Sequence, residues 1–426
     1  MKKKIIIIGA LILSWSFFSS AIFQQSPAQH VAIKAIYIDE FGNKWFGTRD
    51  GLYMFNDIEW TRYSSADHVI SEQINALTFE QSINGPELWV ATDEGVSVVA
   101  FDIDGITGAT SYTAEDGVYG TKIMDVVVDS RNYKFFGSDQ GITYFHDGSM
   151  DSITYNENKS SLLNAPVNDM AIFNDSIYIG YGIGIGRLVS EVDGVTGASR
   201  WTNGYGITPL SGNILAVEID SDGNQWFGTD AGAEKHLGLN AKDNWLLYTE
   251  DDGLVNNMVL VIREDKDGAV WFGTEGGVSM LKNDLWTNYN KSDGLVSDTV
   301  YDIAFEENGT IWFATAEGIS KMSDGEITTV DITTSNSSSV DVSLSGKIYQ
   351  ISSNNLMVQF NQEVQGPVQI SVFDVSGKQV GSSTKNVVTE NQMIIQLDDK
   401  FQRGIYFVKA LTNNGLVLSE KVLLLK

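Results

Sequence analysis

Apolar and polar positions follow a repeating plan along most of the chain. One phrase recurs seven times: an aromatic pair or its equivalent, Gly or Ala, Thr or a substitute, two variable residues, then Gly and an apolar residue. The copies start at Trp45, Trp89, Phe135, Tyr178, Trp226, Trp271 and Trp312, so successive starts lie 41 to 48 residues apart. Around each phrase the pattern predicts four short strands. In the sixth copy they fall at 258–264, 270–274, 277–281 and 285–289, with polar turns at 265–268 and 275–276, and 292–295 leading into the next unit. A four-stranded unit with a period in the low-to-mid forties is a propeller blade. The prediction is an all-β chain whose residues 22–332 form a seven-bladed β-propeller. The Gly that closes each phrase sits where a short hairpin needs a positive φ, which glycine adopts without Cβ strain. The Trp and Phe of each phrase are expected to fill the wedge between neighbouring blades. How the ring is sealed is left open, with 22–30 as a spare segment.

Beyond Val330 the pattern changes. Residues 331–340 are rich in Ser, Thr and Asn, a linker composition, and the linker is placed at 333–341. Strand-like runs follow at 356–360, 368–373, 393–397, 405–410 and 416–425, with Ser-Gly and Asn-Gly turns between them. These predict a small β-sandwich over 342–426. At the other end, Lys2, Lys3 and Lys4 precede an apolar run from Ile5 to Leu13, then Ser19, Ser20 and Ala21. That is the form of an export signal at 1–21, and nothing later is apolar for long enough to span a bilayer.

Charge sharpens this division. The chain has 28 basic and 55 acidic residues, a net charge of −27, and no Cys. Residues 341–426 hold eight basic and seven acidic residues, so 22–340 carry 17 basic against 48 acidic. So acidic a ring excludes nucleic acid and anionic membrane as partners. The absence of Cys removes disulfides, thiolate metal sites and Cys nucleophiles.

The phrases carry a resemblance. Asp39-Glu40-Phe41-Gly42-Asn43-Lys44-Trp45 and Asp220-Ser221-Asp222-Gly223-Asn224-Gln225-Trp226 resemble the two-component regulator propeller repeat, and the copy at Tyr178 departs furthest from it. The family's propellers commonly serve as extracytoplasmic sensors of carbohydrate-type ligands, which implies a recognition ring here but no kinase. In the tail, Val372-Phe373-Asp374-Val375-Ser376-Gly377-Lys378, Gly404-Ile405-Tyr406-Phe407-Val408 and the terminal Glu420-Lys421-Val422-Leu423-Leu424-Leu425-Lys426 resemble the type A C-terminal sorting domain of type IX secretion. The Pro-Asn-Pro usual near that domain's start is replaced by Ser352-Ser353-Asn354-Asn355. The resemblance implies a passenger carried by the outer-membrane secretion machinery to the surface of a Gram-negative cell or beyond.

Two sets of candidate residues follow. The variable turn between strands two and three carries a carboxylate in six blades: Asp50, Asp93, Asp139, Asp230, Glu275 and Glu317 are its representatives. Hard cations take carboxylate oxygens, so a divalent cation such as calcium is the one cofactor these turns suggest; turn chemistry and a solubilising surface are the simpler explanation of the same residues. The blade-to-blade loops share that face. There Tyr119, Tyr205, Asn213, Asn257 and Asp298 combine aromatic platforms with hydrogen-bonding groups suited to a sugar. Blade four, without a turn carboxylate, is the first place to look for a groove. The string 220–224 resembles the start of a calcium loop but lacks its distal Glu, and reads as a hairpin turn. The four His fall at unrelated positions of the repeat, and no nucleophile motif is present. The expected function is recognition of a glycan or other extracellular polymer by a monomeric secreted or surface protein, without catalysis. Two alternatives stand beside it. One is a lyase or hydrolase acting at the central mouth, since streptogramin lyases have similar phrases and use a His there, a place open only to His68. The other is a non-catalytic scaffold.

Overall fold

The computed structural model describes residues 31–332 and 346–424, apart from 58–59, 67, 83–84, 103–104, 147, 154–164, 183, 192–193, 203–211, 238–244, 353–354, 361–367, 374–378, 386–391, 398–400, 402–403 and 413–416. The expected export signal at 1–21, the linker at 333–341 and Tyr205 lie outside these residues. Nearly all regular structure is β, with three single 3₁₀ turns; among the described residues no helix is long and apolar enough to cross a membrane.

Between Ile33 and Val330 the strands form seven antiparallel sheets of four, each built from consecutive strands in chain order. Blade one contains Ile33–Ile38, Lys44–Thr48, Leu52–Phe55 and Trp60–Tyr63. In blade six the strands are Val259–Glu264, Val270–Thr274, Val278–Lys282 and Leu285–Tyr289, within one residue of the expected bounds. The first strands of successive blades touch, and that of blade seven, Val300–Phe305, touches that of blade one. Among the described residues the ring therefore closes blade against blade, each sheet keeping its own four consecutive strands.

The apolar core is divided among the joints. Seven buried clusters lie one between each pair of neighbouring blades. Trp226 meets Phe272 of the next blade edge-on at 5.4 Å, and Trp89 stacks on Phe136 at 5.7 Å. The closing joint is of the same kind: Phe46 packs against Trp312 at 5.8 Å, among Ile33, Ile36, Trp60 and Ile319. The Gly inside the repeated phrase serves this contact. A Cβ on Gly47 would lie 2.6 Å from Ile74 Cγ2 of the next blade. The Gly that ends the phrase has a different task. At Gly51 φ is +107°, and a Cβ there would lie 2.7 Å from the Tyr63 carbonyl oxygen.

The carboxylate before each Trp is also structural. Asp220 accepts the Trp226 indole N–H at 2.9 Å and the Asn224 backbone N–H at 2.7 Å, tying the turn to the ring it precedes. Asp39 serves Trp45, and Asp265 serves Trp271, both at 2.8 Å. The 220–224 string is thus an internally bonded hairpin turn, as its sequence suggested.

The tail forms two sheets. One pairs Gly346–Ser352, Asn355–Phe360 and Gln392–Gln396; the other runs Gln379–Lys385, Val368–Phe373, Gly404–Thr412, Val417–Leu424. Leu356, Val358 and Ile395 of the first share one core with Ile370, Val372 and Val408 of the second, which makes the module a β-sandwich.

Candidate functional site

Strand one of every blade contains a β-bulge. The register against strand two slips once, at the second residue of a short phrase: Ile33-Lys34-Ala35, Ile74-Asn75-Ala76, Ile123-Met124-Asp125, Val167-Asn168-Asp169, Ile214-Leu215-Ala216, Val259-Leu260-Val261 and Val300-Tyr301-Asp302. A bulge leaves one residue unpaired and re-aims its side chain. The seven unpaired residues, Lys34, Asn75, Met124, Asn168, Leu215, Leu260 and Tyr301, all line a single cavity of about 620 Å³ at the ring centre. Its other walls come from strand two–three turns (Arg49, Asp93) and from blade-to-blade loops (Gln73, Lys122), so the mouth opens on the face where those turns meet. The size is that of a small-ligand site, roughly 300–1,000 Å³.

The cavity is two-sided. Tyr301, Lys34 and Asn75 sit on consecutive blades with Arg49 and Lys122 beside them, while Met124, Leu215 and Leu260 present apolar groups. Lys34 holds its ammonium 3.1 Å from the Tyr301 ring centroid, a cation–π contact. Burial, with Arg49 and Lys122 nearby, pushes the Lys34 amine down to about 8. Lys122 pairs with Asp93 at 3.3 Å. Asn75 donates to Asp93 and to the Ile123 carbonyl, each at 2.8 Å, and Asn168 donates to the Ile214 carbonyl at 2.6 Å. Both amides thus bridge to the following blade.

One residue further along the strand lies a second polar layer. Asp302, Asp125 and Asp169 accept the backbone N–H of Ile36, Met170 and Val217 in the following blades, at 2.9, 2.8 and 2.7 Å. Asp302 also pairs with Arg263 at 3.0 Å, and Glu218 lies 3.7 Å from the same guanidinium. Burial raises the carboxyls, Asp125 to about 6 and Glu218 to about 7, and Asp169 is raised by burial and by Asp125. Arg263 offsets part of this at each of the three.

The residues singled out from sequence are distributed otherwise. Asp50 is held by Arg62 at 2.9 Å and Tyr53 at 3.0 Å, Asp230 by the Asn213 side chain at 2.6 Å, and Glu317 by Lys291 at 3.0 Å. Asp139 accepts the Thr121 backbone N–H at 3.2 Å, Glu275 is exposed, and Asp93 alone of the six lines the cavity. These carboxylates do not converge: among the described residues no three His, Asp or Glu side chains are placed to hold a metal ion. Asn257 and Asp298 accept backbone N–H groups of Glu250 and Lys291, fixing the 3₁₀ turns before them. Tyr119 covers Gly141 with its ring, and neither it nor Asn213 lines the cavity. His68 stands edge-on to Tyr63 at 5.5 Å, also outside it. Blade four contributes Asn168 to the cavity, and the loops 154–164 and 203–211 on either side of it, where a groove was expected, lie outside the described residues. The bulge residues were not singled out because a bulge has no residue signature. Their signal is the varying second letter of an otherwise regular phrase.

Comparison with known proteins agrees with this architecture. Residues 352–424 match the secretion system C-terminal sorting domain, and residues 253–276 match the two component regulator propeller. No curated protein matches the chain. Among solved structures, the chain is similar to the extracellular domain of a proposed one component system from B. thetaiotaomicron, with 13% identity, 93% of this chain and 69% of that one covered, and a TM-score of 0.51. YCF48 from Cyanidioschyzon merolae matches at 13% identity and TM-score 0.49, over 68% of this chain and 94% of that one. PorZ, a surface component of the type-IX secretion system of Porphyromonas gingivalis, matches at 14% identity and TM-score 0.37, over 89% and 64%. The chain is therefore an all-β protein in which a stretch of the regulator-propeller type, residues 253–276, stands ahead of a type IX sorting domain, and that tail marks it for export to the cell surface or the medium of a Gram-negative cell.

Proposed function

We propose that this protein is an extracellular binding protein that seats a unit of a glycan or other extracellular polymer at the mouth of its central channel. The observation that carries this reading is the division of labour within the repeat. Seven closely similar frames present seven side chains at one bulge position, and those side chains are Lys, Asn, Met, Asn, Leu, Leu and Tyr. The packing positions of the phrase stay large and apolar and its closing glycine is kept from blade to blade, whereas the cavity-lining position ranges from cationic to apolar. A rigid scaffold that varies its residues at one shared cavity is suited to recognition.

The test is a panel of extracellular polysaccharides and their oligomers applied to the whole chain and to Leu215→Trp, whose indole would occupy the cavity. Retention by the wild type and its loss in the variant is the expected result. Retention unchanged in the variant would move the site elsewhere. Product formation would make the chain an enzyme, and no retention at all would leave a scaffold.

A further inference from the structure

We infer that the channel mouth is built to take an oxyanion, the carboxylate or sulfate of an acidic sugar, on Lys34, Arg49 and Lys122. The inference rests on the channel-mouth reading and adds the chemical class of the ligand.

In a chain of net charge −27, three cations and a single carboxylate, Asp93, line this cavity. Lys122 has Asp93 as its partner. Among the described residues, neither Lys34 nor Arg49 has a carboxylate within ion-pair distance. The turn carboxylates that could have served are engaged elsewhere, as with Asp50 on Arg62 and Tyr53. A bland explanation would have Lys34 neutralise the deeper carboxylates. The geometry opposes this, because Asp302 and Glu218 are drawn to Arg263. The Lys34 shift is consistent with that geometry: burial first, then Arg49 and Lys122, push its amine down, and no carboxylate is among the groups that shift it. Cations brought together and partly desolvated are costly until an anion joins them.

The remaining walls narrow the class. Leu215 and Leu260, on blades five and six, offer an apolar surface across the ring from Arg49 and Lys122, Met124 adds an apolar group beside Lys122, and Gln73, Asn75 and Asn168 bring amide groups to the same cavity. A uronic acid or sulfated sugar has an anionic edge, a C–H face and hydroxyls, and so matches all three parts. A bare inorganic anion matches only one.

The test is titration calorimetry at pH 7 on the whole chain with matched pairs that differ only in charge. These are trigalacturonate against its methyl ester, and a sulfated disaccharide against its desulfated form. Which acidic member binds identifies carboxylate or sulfate as the group read. The acidic member is expected to bind at least roughly tenfold more tightly than its partner, and Lys34→Met and Arg49→Gln should each lose about tenfold. Both variants should melt with the wild type. Equal binding of acidic and neutral members, abolished by Leu215→Trp, would overturn the anion assignment while the channel mouth stood as the site. Binding that survives Lys34→Met, Arg49→Gln and Leu215→Trp would overturn both. No binding of either acidic probe would overturn the anion assignment, and retention of a neutral polymer in the panel would then show whether the channel-mouth reading survives it.

Discussion

Lys34 occupies a position that would carry little meaning elsewhere on the ring. Its neighbours in sequence, Ile33 and Ala35, are buried packing residues. The bulge turns Lys34 away from both and sets it beside Tyr301 and under the influence of Arg49 and Lys122. With its amine near 8, about half of it is neutral at pH 8, against well under a hundredth of an ordinary lysine with a pKa of about 10.4. Lys34 should therefore be the first lysine acetylated by limiting acetic anhydride at pH 8, as read by peptide mass spectrometry. Arg49→Gln removes a repelling charge and should slow that labelling; the facing groups Lys122, Tyr301 and Asp93 remain. Labelling of Lys34 after the exposed lysines would contradict the lowered pKa. The individual turn carboxylates were legible in the sequence, but their partners were not. Asp93 meets Lys122 across the next blade boundary, and only the folded ring places them together.

At the level of the strand and its turn, the Asp-x-x-Gly-Asn-x-Trp string joins two jobs in one carboxylate. Asp220 closes the turn through Asn224 and holds the buried Trp226 indole N–H, and that ring packs against the next blade. Asp220→Ala strands a buried donor as well as opening a turn, so it should cost about 2–4 kcal/mol. Trp226→Phe keeps most of the aromatic surface and should cost less, roughly 1–2 kcal/mol. Denaturant midpoints of the two variants check the order. The turns and strands of the blades were readable because Gly, Asp and Asn punctuate apolar runs at a fixed period. Two strands of the sandwich were not. Gln379–Lys385 contains one large apolar residue, Val380, and lies at a sheet edge where side chains need little burial. Gly346–Ser352 adjoins a Ser- and Asn-rich stretch that masks its start.

Across the molecule, the layer beneath the cavity gathers four carboxylates near one guanidinium. Asp125 near 6, Glu218 near 7 and the raised Asp169 and Asp302 all lie above the unfolded values of about 3.9–4.3. The folded chain thus binds more protons than the unfolded one between about pH 4 and pH 7. The stability this provides is fully present below the unfolded values and is lost as pH rises through 6 to 7. Calorimetry should show a higher melting temperature at pH 5.5 than at pH 8. Asp169→Asn keeps an acceptor for the Val217 N–H and should narrow that gap. The number of blades was legible from the seven phrases, while the closure was not, because it rests on Phe46 meeting Trp312 and on Ile36 meeting Asp302, contacts that span almost the whole ring in sequence. That seam is built like the six internal joints. The ring accordingly has a first and last blade only in the order of synthesis. As a solid body it has no privileged starting point, and a chain begun at any other blade-to-blade loop would describe the same object.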